Sequence, residues 1–199
     1  LDFISGAYDK CQSSLELARG IVESLNEVEI QLRFRTNQTV LLMMQGKLKK
    51  ALSESNHELE LARKSGSDFE LARCLNNRGS IFIRLASKLE NAETFLNQSR
   101  ECFQEAYTIF QKLGRLDLEL ISKVGFATVE YLKGNLESAG ATFSDAIVGF
   151  RLLQNRQALS RNYYNLGDIC RFQGHFDQAQ DNLNRSVEVR QQIGDQLGL

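Results

Sequence analysis

Short turns recur at almost constant spacing along this chain, and that rhythm restricts the folds it can adopt. Successive turns are separated by 40, 40, 48 and 40 residues. The residues that mark them are Gly6, Gly46, Ala86, Gly134 and Gly174. A repeat in the range of about 20 to 50 residues is typical of a solenoid, in which each unit buries its apolar face only against its neighbours.

The segments between the turns have the periodicity of amphipathic helices. Apolar residues recur at intervals of three and four, as at Leu136, Ala139, Phe143, Ala146 and Phe150. No stretch shows the period of two that is typical of a strand, and the chain contains no proline, the commonest helix breaker. The sequence therefore predicts an all-α fold.

A second set of turns divides each interval into two helices. Most of these turns carry Gly or Asn, which suit the left-handed backbone just past a helix C-terminus. One turn has Gln at the equivalent place in the repeat. The residues that mark these turns are Asn26, Gly66, Gly114, Gln154 and Gly194. Each second helix also has a small or polar residue at one fixed place on its apolar stripe. That column consists of Ala18, Glu58, Ala106, Ala146 and Ser186.

The phase of the repeat gives the domain organisation. We predict a single domain over residues 1–199, with the second helix of a truncated unit (1–26), four helix pairs (27–66, 67–114, 115–154 and 155–194) and the start of a further helix (195–199). Neither end shows the polar capping unit that a free solenoid end needs. We therefore expect a piece of a longer array, or self-association through the uncapped ends.

Charge and composition restrict the classes of partner. The 24 basic and 25 acidic residues give a net charge of −1, which argues against a general nucleic-acid or anionic-membrane binder. No apolar run approaches the roughly 18 to 20 residues that span a bilayer. We therefore predict a cytoplasmic chain that does not bind nucleic acid or membrane.

Cysteine usage and the glycosylation motifs agree with a reducing compartment. The four cysteines contain no C-x-x-C pair and are interpreted as small buried hydrophobic residues. They are Cys11, Cys74, Cys102 and Cys170. Three Asn-x-Ser/Thr motifs, at Asn37, Asn97 and Asn184, all fall in predicted helices, which disfavours glycosylation.

The last unit carries the strongest family motif. Tyr163, the pair Leu166-Gly167 and Cys170 are followed by Ala179 and then Leu183 four residues on. This pattern resembles the tetratricopeptide repeat, with W-x2-L-G-x2-Y and then A-x3-F in about 34 residues. The units here are about six residues longer and lack the closing proline. They are similar to the 40-residue variant of kinesin light chains, Pins-type adaptors and bacterial tetratricopeptide regulators.

The resemblance implies a right-handed superhelix of antiparallel helix pairs that binds a protein or peptide. It also implies that the first helices of successive units line a concave groove. Three of the four first helices have an arginine and, one turn later, an asparagine at equivalent positions. These six residues are Arg33, Asn37, Arg73, Asn77, Arg161 and Asn165. The third unit has Ile121 and Gly125 instead.

This Arg/Asn ladder suits an extended peptide. An asparagine amide both donates to and accepts from a peptide backbone, and arginine binds carboxylates through two parallel hydrogen bonds. The four first helices together carry a net charge of +3. We therefore predict a protein–protein interaction scaffold or sensor module whose groove binds an acidic or polar peptide. Alternatively, the asparagines make contacts between helices and the arginines are ordinary solvated charges.

Two further functions stay open on the sequence. The chain could be the regulatory array of a larger signalling enzyme or transcription regulator, or a self-assembling structural solenoid. Catalysis is not expected, because the two histidines, His57 and His175, lie far apart and no phosphate-binding loop, zinc-helix motif or nucleophile elbow occurs. We predict no cofactor and no metal site.

The interval of 48 residues marks an eight-residue insertion near residues 87–98. Leu85, Leu89, Ala92 and Leu96 continue one helical stripe, which predicts about two extra turns of helix. One interpretation is an elongated helix hairpin. The other is a protruding finger on which Phe95 and Leu96 dock a partner or a neighbouring subunit.

Overall fold

The computed structural model describes residues 2–25, 27–88 and 90–195, and within these ranges regular structure is entirely helical. The helices are α1 (Asp2–Ser24), α2 (Val28–Met44), α3 (Leu48–Ser65), α4 (Asp68–Ala86), α5 (Ala92–Lys112), α6 (Leu116–Leu132), α7 (Leu136–Leu152), α8 (Arg156–Phe172) and α9 (Phe176–Gln192). The all-α prediction is confirmed. Of the predicted further helix (195–199), Asp195 is described and lies outside regular helix, and residues 196–199 lie outside the described part of the chain.

Left-handed turn residues end most of the helices where the sequence places them. Gly46, Gly134 and Gly174 have φ of 71°, 85° and 79°. At the second set of turns Gly66 has φ of 69° and the non-glycine Gln154 has φ of 54°. Gly6 was expected to mark a turn, but it lies inside α1, so this expectation is wrong.

The chain divides into two compact units, Leu1–Ile109 and Phe110–Leu199. In the first unit α2 packs against α3, α3 against α4, and α2 also contacts α4. Leu32, Ala62 and Cys74 bring these three helices together in one buried cluster. The first helices α2 and α4 are therefore neighbours within this unit.

The α4–α5 hairpin of the first unit depends on a close helix contact at Gly79. The Ser99 hydroxyl donates a hydrogen bond of 2.9 Å to the Gly79 carbonyl. A Cβ added to Gly79 would lie only 2.8 Å from Cζ of Phe103. The glycine thus allows the Phe103 ring to pack directly on the backbone of α4.

The extra eight residues do not form one added stretch of helix. α4 has 19 residues and α5 has 21, whereas α6 and α7 have 17 each. The connection from Ala86 to Ala92 is two residues longer than the connection from Leu132 to Leu136. The predicted continuous helix is wrong, because α4 ends at Ala86 and Lys88 lies in a turn. Leu89 lies outside the described residues.

The second unit repeats the same packing with α6, α7, α8 and α9. One buried cluster joins Ala127 of α6 to Ala139 and Phe143 of α7 and to Ile169 of α8. α6 also contacts α8, as α2 contacts α4 in the first unit. The small-residue column is buried here as expected, with Ala146 inaccessible to solvent.

Three of the four cysteines are buried as predicted. Cys74, Cys102 and Cys170 lie in the protein interior, but Cys11 is exposed. Burial raises the pKa of Cys74 to about 12 and that of Cys102 to about 11. The expectation of a buried thiol is therefore wrong for Cys11.

Candidate functional site

The Arg/Asn ladder of the first unit lies on the accessible sides of α2 and α4. Arg33 and Asn37 are exposed on α2, while Arg73 and Asn77 are half-buried on α4. Each pair is four residues apart, so its two side chains share one helix face. Because α2 and α4 contact each other, the two pairs occupy neighbouring helices.

The asparagine amides of the ladder are not used by the fold. Within the described ranges, the side chains of Asn37, Asn77 and Asn165 make no hydrogen bond to another protein group. In the alternative in which these residues make contacts between helices, such contacts would be packing contacts of the half-buried Asn77 and Asn165 and not hydrogen bonds. Each amide keeps its donors and its acceptor for water or for a ligand.

Arg73 differs from the other two ladder arginines because it is paired within its own helix. Its Nε donates a hydrogen bond of 2.9 Å to Oε2 of Glu70, and its terminal nitrogen donates to the same oxygen. Glu70 lies in the first turn of α4, where the N-cap Ser67 hydroxyl accepts from the Glu70 amide at 3.3 Å. Much of the Arg73 charge is thus neutralised. Three-residue spacing between Glu70 and Arg73 is the sequence signal that reveals this pair.

Arg33 and Arg161 are the more available cations of the ladder. Both are exposed, and neither makes an ion pair within residues 2–25, 27–88 and 90–195. In the second unit Arg161 and Asn165 lie on α8. On α6, Ile121 is 38% exposed and Gly125 is buried, so this helix contributes no polar ladder side chain.

A polar cluster that sequence analysis missed joins α6 to α8. The Tyr131 hydroxyl donates to Oδ2 of Asp168, and Arg171 donates to Oδ1 of Asp168 at 2.7 Å. Burial and the Asp168 hydrogen bond raise the pKa of Tyr131 to about 12. Burial also opposes ionisation of Asp168, but the bonds from Tyr131 and Arg171 outweigh it and lower its pKa. The Arg171 guanidinium stacks 4.4 Å from the exposed Phe172 ring.

Two open cavities lie elsewhere, between α1, α2 and α3 of the first unit. Their volumes are about 280 and 320 Å³, and both are lined by Arg19, Gln38 and Glu54. Neither is lined by a ladder residue. The ladder is thus a surface feature and does not enter either cavity.

The protruding contact predicted at Phe95 and Leu96 is corrected by the structure. Leu96 is a core residue with 7% exposure, and Phe95 is half-buried. The Phe95 ring stacks on Phe82 with centroids 6.1 Å apart. The start of α5 therefore packs against α4 and does not present these two side chains to a partner.

Across the described ranges, no group of three or more His, Cys, Asp or Glu side chains is arranged to hold a metal ion. Among the helices of those same ranges, none combines the length and the apolar content needed to cross a bilayer.

The described residues form a helical repeat, in which consecutive helices such as α2 and α3, or α6 and α7, pack in pairs. Residues 118–192, which include most of α6 and all of α7, α8 and α9, match the family model of the tetratricopeptide repeat. The resemblance stated from Tyr163 to Leu183 lies inside the matched segment and is confirmed. No curated protein matches the sequence.

Solved structures extend the fold assignment to nearly the whole chain. BtubC from P. vanneervenii is 18% identical, with a TM-score of 0.70, and the match covers 96% of this chain and 76% of that one. Aspartyl phosphate phosphatase F from Bacillus subtilis is 14% identical, with a TM-score of 0.76 and coverage of 97% and 50%. The STAND protein of Pyrococcus horikoshii, a signal transduction ATPase with a tetratricopeptide repeat sensor, is 19% identical, with a TM-score of 0.65 and coverage of 94% and 31%. At these identities the likeness shows the fold, and this chain spans half or less of the last two proteins.

Proposed function

We propose that this chain is a non-catalytic protein-binding module whose first unit captures an extended acidic or polar peptide through α2 and α4. The observation that carries the proposal is the pair of free amides on Asn37 and Asn77, one repeat apart on two contacting helices. Tetratricopeptide repeats typically serve protein–protein interaction, which supports the coarser part of this function. We further propose a cytoplasmic location and no direct role in binding nucleic acid or membrane.

The chemistry of the ladder favours a peptide backbone as the ligand. Each amide can accept from one backbone N–H and donate to one C=O of an extended segment. A single neutral hydrogen bond contributes only about 0.5 to 1.5 kcal/mol, so recognition requires several units acting together. A repeated asparagine supplies such contacts without selecting the side chains of the peptide.

The positive charge of the ladder arginines favours an acidic ligand. Arg33 is exposed beside Asn37 and can bind a carboxylate in the two-pronged geometry of a guanidinium. Arg73 is already paired with Glu70 and is expected to contribute less. We propose that Arg161 and Asn165 make a separate, smaller contribution from the second unit, since α6 carries Ile121 and Gly125 at the equivalent positions.

A pull-down with matched variants tests the proposal. The wild-type chain, the double variant Asn37→Ala/Asn77→Ala and the single variant Asn165→Ala are immobilised and exposed to the same cell extract. Partners that depend on the first unit are expected to be lost from the double variant and kept by Asn165→Ala. Asn184→Ala is the control, because Asn184 is an exposed asparagine on the second helix α9. Equal recovery of every partner by all four proteins contradicts the proposal.

A regulatory array within a larger signalling protein is the second candidate. It is favoured by two of the similar structures, in which the matching fold is only part of a longer chain. The match covers 50% of the aspartyl phosphate phosphatase and 31% of the ATPase with the tetratricopeptide repeat sensor. In that case ligand binding to the array would change the activity of a neighbouring domain. An activity assay of the full-length protein, with and without Asn37→Ala/Asn77→Ala, distinguishes this role from a passive scaffold.

A further inference from the structure

A carboxyl group is buried at the junction of three helices in the first unit. Glu58 of α3 has no exposed surface. It occupies the column where the other units have Ala106, Ala146 and Ser186, which are buried small residues. Burial of an ionised carboxylate is costly unless it is fully paired. The residue therefore requires a physical explanation that its counterparts do not.

The hydrogen bonds of Glu58 satisfy only part of the carboxyl group. The hydroxyl of Thr39 on α2 is bonded to Oε1 of Glu58, whereas Oε2 has no hydrogen-bond partner in the described part of the chain. Thr39 stands where α4 and α8 have Gly79 and Gly167. Two small residues of the repeat are thus replaced here by a hydrogen-bonded pair that links α2 to α3.

The electrostatic surroundings favour the neutral acid. Burial raises the pKa of Glu58, and it outweighs the opposing effects of the Thr39 bond, the Arg73 charge and the thiol of Cys74. Glu54, on the same helix, adds a repulsive charge. Arg73 is the nearby cation on α4, but its guanidinium is engaged by Glu70.

We propose that the packing of α4 on α2 and α3 is proton-linked through Glu58, which is neutral while the three helices are packed and ionises when they separate. Cys74 of α4 belongs to the buried cluster with Leu32 of α2 and Ala62 of α3, so Glu58 lies beside the contact that joins these helices. α2 and α4 also carry Asn37 and Asn77. Opening of the junction at rising pH would therefore change the relative position of the two amides.

The direction of the effect follows from linkage. A group with a raised pKa in the folded state binds its proton more tightly there than in the unfolded chain. Its stabilisation is complete below the ordinary value of 4.5 and is lost as the pH rises towards the folded-state value. Between 4.5 and the folded-state pKa of Glu58, the unfolding equilibrium constant increases by up to about tenfold per pH unit through this one group.

Equilibrium unfolding of the wild type and of Glu58→Gln, measured across the same pH series, tests the proposal. Glutamine keeps the shape of the neutral acid but cannot ionise, and the comparison cancels the titration of all groups that the two proteins share. The ratio of the wild-type to the variant unfolding constant is expected to rise as the pH increases above about 4.5. A ratio that is independent of pH, or one that falls, overturns the proposal.

A direct titration keeps the test valid if the variant does not fold. The side-chain carboxyl carbon of Glu58 is followed by NMR in the wild-type chain labelled at glutamate, and Glu58→Ala, which restores the small residue of the column, assigns the signal. The Glu58 signal is expected to remain that of a protonated acid at pH values above 4.5, the ordinary value for a glutamate. Titration of the Glu58 signal at or below 4.5 overturns the proposal. Neither experiment uses a peptide, so both outcomes are independent of the proposed ligand.

Discussion

The hydroxyl of Tyr131 on α6 is hydrogen-bonded to the carboxylate of Asp168 on α8, across a contact between two first helices of the second unit. Hydrogen bonds to charged groups contribute about 1.5 to 3 kcal/mol. Tyr131→Phe is therefore expected to lower the free energy of unfolding by about that amount. The measurement is the midpoint of denaturant unfolding, compared between proteins whose free energy of unfolding has the same dependence on denaturant concentration. Tyr164→Phe on α8, where the tyrosine is exposed, is the comparison variant, and an unchanged midpoint in Tyr131→Phe contradicts this account of the contact.

The contribution of Asp168 to the free energy of unfolding is expected to change with pH in the opposite direction to that of Glu58. The pKa of Asp168 is lowered below 3.8 in the folded state, so its stabilisation is present above that value and is lost as the pH falls. Asp168→Asn is expected to destabilise the protein at neutral pH, and the difference from the wild type should shrink in acid. Asp145→Asn is the matched control, because the Asp145 carboxylate is exposed and its ion pair with Lys123 is long, with 3.8 Å between Oδ2 and Nζ. An exposed pair of this kind contributes little to stability. A difference that stays constant from pH 7 into acid contradicts the prediction.

Alanine is expected to be less favourable at Gly79 than at Gly140. A Cβ at Gly79 lies 2.8 Å from the Phe103 ring, whereas a Cβ at Gly140 lies 3.6 Å from Cγ2 of Ile169, an ordinary contact. Overpacking costs about 1 to 3 kcal/mol, and alanine recovers up to about 1 kcal/mol of helix propensity. Gly79→Ala should therefore lie between neutral and destabilising by about 3 kcal/mol, and Gly140→Ala should be neutral or stabilising. Thermal unfolding compares them, and a more stable Gly79→Ala than Gly140→Ala would be inconsistent with the packing.

Thiol reactivity should separate Cys11 from the buried cysteines. The thiolate is the reactive form, and burial raises the pKa of Cys74 to about 12 and that of Cys102 to about 11. A disulfide reagent should label one thiol rapidly in the folded chain and all four after denaturation. Cys11→Ser should remove the rapid phase. Rapid labelling of Cys74 in that variant would show that the α2–α4 core is open.

The fold could be predicted because its signal is repeated. Gly46, Gly134 and Gly174 mark the same turn in three units, and each adopts the left-handed backbone that the pattern requires. Apolar spacing between turns then defines the helices. Gly6 was misassigned because spacing alone suggested a turn there, and a single glycine is also tolerated inside a helix. In the structure it lies within α1.

The insertion could not be resolved from periodicity alone. Leu85, Ala92 and Leu96 have helical spacing, but the same spacing arises when two helices on either side of a turn bury their apolar residues in one core. Leu96 is buried and Phe95 stacks on Phe82, which places the start of α5 against α4. Neither glycine nor proline occurs in the connection to reveal the break.

The Arg/Asn ladder could be proposed from the register of the repeat, whereas the hydrogen bonds between helices could not. Equivalent positions in repeated helices place Asn37 and Asn77 on corresponding faces without any knowledge of packing. The Tyr131–Asp168 bond depends on the approach of two helices whose residues are 37 apart in sequence. Such a contact has no local pattern, so only the structure reveals it.

The affinity of a selected peptide tests the central claim most directly. Peptides are selected from a random displayed library on the wild-type chain, and the tightest binder is titrated by fluorescence anisotropy against the wild type, Asn37→Ala/Asn77→Ala and Asn184→Ala. Loss of two neutral hydrogen bonds, worth about 1 to 3 kcal/mol together, predicts a dissociation constant roughly 5- to 150-fold weaker for the double variant. Asn184→Ala should bind as the wild type does. Equal affinity of the double variant and the wild type would contradict peptide capture by the Asn37 and Asn77 amides.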